Sequence, residues 1–181
     1  MSATDRSLIQ DCLRGDAAAW DRFVARYSRL VYSIPRKLGL TEADCDDVFQ
    51  TVFGVVVRRL ESLRDESRTA AWLVRTTYRE SWRVAKRRRG GPAELPGEYA
   101  DPQEPNEEEV LRLERQHLIR AGLAELEPRC RELLELLFFE AETPDYAEIS
   151  RRTGIAVGGI GPTRARCFKK LETILGRHGF R

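Results

Sequence analysis

The chain has 181 residues, of which 41% are hydrophobic and 33% are charged, so it can form one large domain or two small ones with limited cores. Its net charge is only +2, no apolar run approaches membrane-spanning length, and the amino terminus lacks the apolar segment of a signal peptide. We therefore expect a cytoplasmic protein without membrane insertion.

Apolar residues recur mostly at intervals of three or four and rarely alternate, which predicts an all-α protein. A short first helix is followed by a long second helix, which Asp16 can cap and Pro35 should kink near its end. Thr41 and Asp44 form a capping box that opens a third helix. The polar side of that helix begins with acids and ends with bases, which suits the helix dipole and equally suits a basic partner. Residues 62–69 are polar and predict a loop.

The fourth predicted helix, residues 70–89, changes from mixed character to almost pure positive charge. Arg75, Arg79 and Arg83 recur at every fourth position, and Tyr78 and Trp82 lie among them. Guanidinium groups interleaved with flat aromatic rings suit a phosphate backbone and unpaired bases. The alternative is a solvated basic face whose aromatic side chains belong to the core.

An acidic segment separates two basic parts of the chain. Residues 1–90 carry 18 Lys and Arg against 12 Asp and Glu, residues 91–110 carry none against 7, and residues 111–181 carry 13 against 10. Residues 91–106 are rich in Pro, Gly and acids and predict a flexible linker between domains at 1–90 and 107–181. The charge of the two domains favours a polyanionic partner.

The second domain contains a helix-turn-helix pattern. Asp145 and Glu148 resemble a capping box, Gly154 permits a tight left-handed turn, and a new helix begins near Val157. In a helix-turn-helix the second helix enters the major groove of DNA. Helical hairpins without a DNA ligand share this spacing, but the basic exposed side of the second helix favours DNA binding.

Sequence patterns for a metal site or an enzyme are missing. The four cysteines are far apart and have no histidine pair beside them, so we expect neither zinc nor a disulfide but small buried side chains: Cys12, Cys45, Cys130 and Cys167. We find no nucleophile with its base, no paired catalytic carboxylates and no phosphate-binding glycine loop. The protein is therefore predicted to be no enzyme and to need no cofactor and no metal.

Four segments in order resemble the extracytoplasmic-function (ECF) group of sigma factors, the two-domain initiation factors of bacterial RNA polymerase. Residues 42–53 (EADCDDVFQTVF) are similar to region 2.2, and residues 71–89 (AWLVRTTYRESWRVAKRRR) resemble regions 2.3 and 2.4. Residues 123–140 and 145–171 resemble region 4. The resemblance covers nearly all of residues 8–175. It implies two small helical domains, a region 2-like bundle and a region 4-like helix-turn-helix, joined by the acidic linker.

The resemblance implies a transcription initiation factor that binds core RNA polymerase and directs it to promoter DNA. The first domain would recognise and melt the minus-ten element as a single strand, and the helix-turn-helix would read the minus-thirty-five element as a duplex. An anti-sigma factor is a further implied partner. One alternative is a helix-turn-helix regulator that acts without polymerase, and it would need a dimer to match two half-sites. Another is an interaction protein that binds no nucleic acid.

The resemblance also assigns residues to three surfaces. Core polymerase would be bound by the polar side of the third helix: Asp44, Asp46, Asp47, Gln50 and Thr51. The minus-ten element would be bound by residues of the loop and the fourth helix: Arg68, Arg75, Tyr78, Arg79, Trp82, Arg83 and Lys86. The minus-thirty-five element would be bound by the second helix of the helix-turn-helix: Gly158, Gly159, Thr163, Arg164, Arg166, Lys169 and Lys170.

The chain departs from the family pattern at three places. Tyr78 and Arg79 stand where the family usually has Arg followed by Asn, and Glu80 adds a negative charge beside them. Gly161 and Pro162 stand where the family often has Lys or Arg followed by Ser, and Pro162 is tolerated because it falls in the first turn of the predicted recognition helix. It shifts the expected base contacts towards Thr163, Arg164 and Arg166. The glycines at positions 158, 159 and 161 predict a flexible start of that helix.

Overall fold

The computed structural model describes residues 5–63, 68–88, 105–178 and 180. These residues form helices without any β-strand, which confirms the predicted all-α class. The helices are α1 (Asp5–Leu13), α2 (Ala17–Lys37), α3 (Glu42–Leu63), α4 (Thr69–Arg88), α5 (Glu107–Ala124), α6 (Pro128–Phe138), α7 (Tyr146–Thr153) and α8 (Ile160–Arg177), with a short 3-10 turn at Val157–Gly159 before α8.

The chain divides into two compact units, one ending at His117 and the other beginning at Leu118. This division falls within α5, so the first half of α5 belongs to the first unit. The predicted linker, residues 91–106, lies outside the described residues as far as residue 104. The predicted domain boundaries at residues 90 and 107 therefore stay a prediction.

Helices α1 to α4 build the first unit around an aromatic centre. The Phe23 and Tyr27 side chains of α2 are fully buried, with ring centroids 4.8 Å apart. Phe53 of α3 meets Phe23 edge to face at 6.4 Å. The apolar spacing that predicted α2 and α3 is thus the spacing that packs them together.

Local signals start and stop α2 and α3 as expected. The Asp16 carboxylate accepts hydrogen bonds from the N–H groups of Ala18 and Ala19, at 2.9 and 3.2 Å. Helix α2 continues past Pro35 to Lys37, and the chain turns at Gly39, where φ is +74°. The Thr41 hydroxyl oxygen accepts the Asp44 N–H at 3.3 Å at the start of α3.

The loop predicted at residues 62–69 is too long. Helix α3 continues to Leu63 and α4 begins at Thr69, so both ends of the predicted loop belong to helices, and residues 64–67 lie outside the described residues. Leu63 is 1% exposed and belongs to the core of the first unit. Burial of this apolar side chain favours the extension of α3 by two residues into the polar stretch that predicted a loop.

The second unit contains the predicted helix-turn-helix. Asp145 accepts the Glu148 N–H at 2.7 Å at the start of α7, and Gly154 follows α7 in the left-handed conformation, with φ +67°. Helix α8 begins at Ile160, after the 3-10 turn, rather than near Val157. Its inward side chains join those of α6 and α7 in one core: Leu133, Leu134, Leu136, Ile149, Ile160 and Leu171.

A disulfide joins Cys130 of α6 to Cys167 of α8, so the expectation of four unpaired cysteines was wrong. The two residues are 37 positions apart in sequence, but the packing of α6 on α8 brings their Cα atoms to 5.4 Å. Cys12 and Cys45 are buried free thiols, as predicted. Burial raises the pKa of both thiols.

Candidate functional site

Helix α4 presents a polar, basic side because its other side is committed to the core. Leu73, Val74 and Val84 are buried, as predicted. Thr77 is also buried, and its hydroxyl donates to the Leu73 carbonyl oxygen at 2.7 Å. The helix therefore has one fixed orientation, which decides which of its cations face outward.

The predicted minus-ten residues come together along the outward side of α4. The structure exposes the side chains near the carboxyl end of the helix: Arg79, Arg83 and Lys86. It leaves the others half-buried: Arg68, Arg75, Tyr78 and Trp82. Cations and aromatic rings thus share one continuous surface, as their spacing predicted. We call these seven residues the α4 face.

Glu80 does not lie on the exposed side of α4. Its side chain is buried, with 8% of the residue exposed, and its carboxylate accepts a hydrogen bond from Arg83 at 2.6 Å. The negative charge expected beside the outward arginines is thus turned towards the core and neutralised by one of them. Glu80 holds Arg83 in place without presenting a carboxylate to a ligand.

Carboxylates from the first half of α5 bind part of the α4 face. Arg68 Nη2 lies 2.6 Å from Glu114 Oε2, and Arg68 Nη1 lies 3.1 Å from Glu107 Oε1. Arg75 Nη2 lies 2.5 Å from the other oxygen of Glu107. The Tyr78 hydroxyl bonds to Glu109 at 3.2 Å. These pairings raise the pKa of Arg68 and lower the pKa of Glu107.

Sequence reasoning missed these carboxylates because residues 107–109 were interpreted as the end of an acidic tether and a helix start. A signal was available in the spacing. Glu107 and Glu114 are seven residues apart, so they lie on one side of a helix, and Val110 lies near the same side. The spacing therefore places one apolar and two acidic side chains near the same side of the predicted helix.

The polar side of α3 is exposed at four of the five predicted polymerase-binding residues. Asp46, Asp47, Gln50 and Thr51 are exposed, and Asp46 accepts a hydrogen bond from the Tyr32 hydroxyl. That hydrogen bond raises the pKa of Tyr32. Asp44 differs from them, since it is 3% exposed.

Asp44 is enclosed by two partners at the start of α3. One of its carboxylate oxygens accepts the Thr41 hydroxyl at 2.7 Å, and the other lies 2.6 Å from Arg88 Nε at the end of α4. This pairing compensates the charge that burial would otherwise penalise. Asp44 therefore joins the ends of two helices and presents little surface to a partner.

The predicted minus-thirty-five residues lie in and after the 3-10 turn of the second unit. Gly158 and Gly159 form that turn, and Thr163 follows in the first turn of α8. Further along α8, Arg166 donates to the Thr163 hydroxyl at 3.1 Å, and Lys170 pairs with Glu127 at 2.5 Å. The remaining predicted residues are exposed or half-exposed on the same helix: Arg164 and Lys169.

Two hydrogen-bonded groups fix the turn before α8. Arg129 Nη2 of α6 donates to the Gly154 carbonyl oxygen at 2.8 Å. The Thr153 hydroxyl accepts the Ile155 N–H at 3.3 Å. Pro162 is the third residue of α8, where no intrahelical bond from its nitrogen is required. The hydrogen bonds of the turn therefore fix the start of α8, and Pro162 only fits the position that it occupies.

The second unit also exposes aromatic side chains at the end of α6 and on α8. Phe138 and Phe168 are 55% and 42% exposed, and their rings meet edge to face at 5.3 Å. Phe139 beside them is 53% exposed. Phe138 is the last residue of α6, so its exposure coincides with the end of that helix.

The described residues provide neither a metal cluster nor a membrane span. No group of three or more His, Cys, Asp or Glu side chains within them is placed to hold a metal ion. None of their helices combines the length and apolar character needed to cross a bilayer.

Residues 23–92 match the family model for sigma-70 region 2. The described part of this segment comprises most of α2 together with α3 and α4, which carry the two candidate surfaces of the first unit. The helices α2 to α4 are therefore those of a sigma-70 region 2 domain.

The chain is 27% identical over 171 residues to the ECF RNA polymerase sigma factor SigE of Mycolicibacterium smegmatis. The alignment covers 91% of this chain, which spans 65% of the length of that relative. Together with the region 2 match, this similarity supports the predicted resemblance to the ECF group of sigma factors.

The chain is also similar to a solved structure described as CnrH in complex with the cytosolic domain of CnrY. The two are 22% identical, and the match covers 95% of this chain and 97% of the other. The TM-score is 0.42, which is too low to establish a common arrangement over the whole length.

The acid dependence of stability should reveal the contacts of Glu109. Hydrogen bonds from Arg112, together with the charge of Lys37, lower the pKa of Glu109 from 4.5 to about 2. A carboxyl whose folded pKa is depressed stabilises the fold above its unfolded pKa, and that contribution is lost as the pH falls towards its folded pKa. We expect Glu109→Gln to lower the free energy of unfolding by about 1 kcal/mol at pH 6.

Urea unfolding of both proteins between pH 6 and pH ~2.5 tests this expectation. The difference in the free energy of unfolding should shrink as the pH falls from about 4.5 towards 2. A difference that stays constant over this range would contradict the assignment.

Proposed function

We propose that this protein is a non-enzymatic transcription initiation factor that binds core RNA polymerase and directs it to promoters. The observation that carries the proposal is the match of residues 23–92 to sigma-70 region 2, because it includes both candidate surfaces of the first unit. The similarity of most of the chain to an ECF sigma factor supports the same role.

The α4 face is the proposed minus-ten surface. Its arginines offer planar N–H donors that pair with phosphate oxygens, and its outward side is basic from Arg79 to Lys86. Trp82 is half-buried, so part of the residue is covered by the protein and part is exposed to solvent. Base stacking on an aromatic ring stabilises an unpaired strand by about 1–3 kcal/mol per base. This combination favours a single strand over a duplex.

The exposed side of α3 is the proposed polymerase surface. Asp46, Asp47 and Gln50 lie in succession on it, with carboxylates near the amino end of the helix. A cluster of exposed carboxylates suits a basic partner surface and steers its approach. Asp44 contributes to the position of this surface through its pairing with Arg88 and not through its own exposure.

The helix-turn-helix of the second unit is the proposed minus-thirty-five reader. Helix α8 follows a tight glycine turn and carries basic side chains on its exposed side, as a recognition helix does. The same geometry supports the rival function, a helix-turn-helix regulator that binds duplex DNA without polymerase. The two functions differ in the need for polymerase.

Size-exclusion chromatography with core RNA polymerase tests the proposal. The chain should co-elute with the enzyme, and an Asp47→Arg, Gln50→Arg double variant should bind at least about tenfold more weakly, because it places cations on the acidic surface. Both residues are exposed, so the variant should fold. Glu61→Arg, an exposed change at the other end of α3, is the matched control and should bind normally.

Two results would count against the proposal. A wild-type chain that elutes without polymerase, and binds duplex DNA as a dimer, would support the independent regulator instead. Co-elution that the double variant and the control retain equally would place the polymerase surface elsewhere on the molecule.

A further inference from the structure

The first half of α5 is anchored on the first unit by apolar side chains. Val110 is fully buried and Leu113 is 6% exposed, and both belong to the core formed by α1 to α4. His117, at the end of this half, stacks on Tyr27 with ring centroids 4.7 Å apart. The helix is therefore held in a fixed position, and its carboxylates are presented to α4 in one register.

The carboxylates meet the amino-terminal part of the α4 face. Arg68 forms a forked contact with Glu114, with Nε at 3.2 Å and Nη2 at 2.6 Å from the same oxygen and Nε at 3.3 Å from the other. Glu107 accepts from both Arg68 and Arg75. Three of the seven residues of the α4 face are thus hydrogen-bonded to α5: Arg68, Arg75 and Tyr78.

These contacts use the donors that a nucleic acid would use. A carboxylate and a phosphate both accept from the fork of a guanidinium group, so one donor pair serves only one of them at a time. The carboxylates would also repel a phosphate brought to the same place. Glu114 is the less exposed of the two acids, with 13% of its side chain exposed, so solvent screens its pairing only in part.

We propose that the first half of α5 is an internal competitor for nucleic acid on the α4 face. Glu107 and Glu114 occupy Arg68 and Arg75, and a single strand gains these two arginines only when the carboxylates leave them. The inference rests on the proposed function, since it concerns the surface assigned there to the minus-ten element. The new element of the inference is that the first half of α5 covers part of the α4 face.

The competition is confined to one part of the face. Trp82 and Lys86 lie one and two turns beyond Tyr78, further from the residues that α5 contacts. A strand can therefore approach the exposed carboxyl-terminal part of α4 before it displaces the carboxylates. This order predicts weak binding at first and stronger binding once α5 is released.

Fluorescence anisotropy with a short, labelled single-stranded DNA oligonucleotide tests the competition in the full chain. A Glu107→Gln, Glu114→Gln variant should bind the oligonucleotide about tenfold more tightly than the wild type, a coupling of the usual size between two sites. The matched control is Glu61→Gln, Glu108→Gln, which removes the same net charge at two exposed positions. The control should show only the smaller gain that follows from net charge.

A second measurement needs no variant. Addition of the oligonucleotide should increase amide hydrogen exchange at residues 107–117 of the wild-type chain, because the first half of α5 leaves the first unit. Unchanged exchange at saturating oligonucleotide would overturn the proposal.

The outcomes separate the competition from the proposed function. If the wild type, the variant and the control bind the oligonucleotide equally, the α4 face stands and the competition is wrong. If none of them binds the oligonucleotide, alone or with core polymerase, both the face and the competition are wrong.

Discussion

Reduction of the Cys130–Cys167 disulfide should lower the free energy of unfolding of the second unit by about 4 kcal/mol. The bond closes a loop over a sequence separation of 37 residues that contains α7 and the turn before α8. Such a loop restricts the unfolded chain far more than the folded one. In a small helical unit this contribution is a large part of the total stability, which is about 5–15 kcal/mol for ordinary domains.

Urea unfolding with and without a thiol reductant measures this effect, with mass spectrometry to establish the oxidation state. A Cys130→Ala, Cys167→Ala variant is the control, because the reductant should leave its unfolding midpoint unchanged. The wild type should lose stability only when the bond is reduced. Equal midpoints for the oxidised and fully reduced wild type would show that the bond contributes little to stability.

Phe23→Ala should destabilise the first unit by about 3–5 kcal/mol. The Phe23 side chain is fully buried, and its ring lies 4.8 Å from that of Tyr27 and 6.4 Å from that of Phe53. Removal of the ring leaves a cavity between α2 and α3, and neither helix can close it without losing other contacts.

Thermal and urea unfolding of Phe23→Ala, followed by circular dichroism, gives the size of the loss. Phe139→Ala is the matched control, since Phe139 is 53% exposed and its removal should cost less than about 1 kcal/mol. Equal losses for the two variants would mean that the ring of Phe23 is not the centre of this core.

The features that the sequence predicted well are those that depend on neighbouring residues. Asp16 and Asp145 cap the helices that follow them, and Gly154 adopts the left-handed turn. Capping and turn formation involve residues within one helical turn of each other, so they can be predicted from a short stretch of sequence. The amphipathic side of α4 was predictable for the same reason, since period and burial agree along it.

The features that the sequence did not predict join distant parts of the chain. The Cys130–Cys167 bond and the pairing of Arg68 with Glu114 span 37 and 46 positions. Asp44 was predicted on an exposed side, but it lies next to Arg88, which only the packing of α3 on α4 brings near. Charge pattern alone shows which side chains are able to pair and not which pairs the fold selects.

The functions assigned to the surfaces of α3 and α4 depend on the family resemblance more than on the spacing of their residues. The spacing of Arg75, Tyr78 and Arg79 predicted a basic and aromatic surface, and the structure places them on one side of α4. Their assignment to a minus-ten element, and that of α3 to polymerase, stays a prediction until the binding experiments are made.

The oxidation state and burial of the four cysteines make the chain suitable for site-specific labelling with a fluorescent dye. Two of the four sulfur atoms are in a disulfide, and the other two are buried thiols whose pKa is raised by burial. Since the thiolate is the form that reacts with alkylating dyes, the two buried thiols should label slowly in the folded protein, and the disulfide-bonded pair has no thiol to label. A Glu108→Cys variant would then carry a single fluorophore at an exposed position in the first turn of α5, where the dye would report the release of that helix from the first unit.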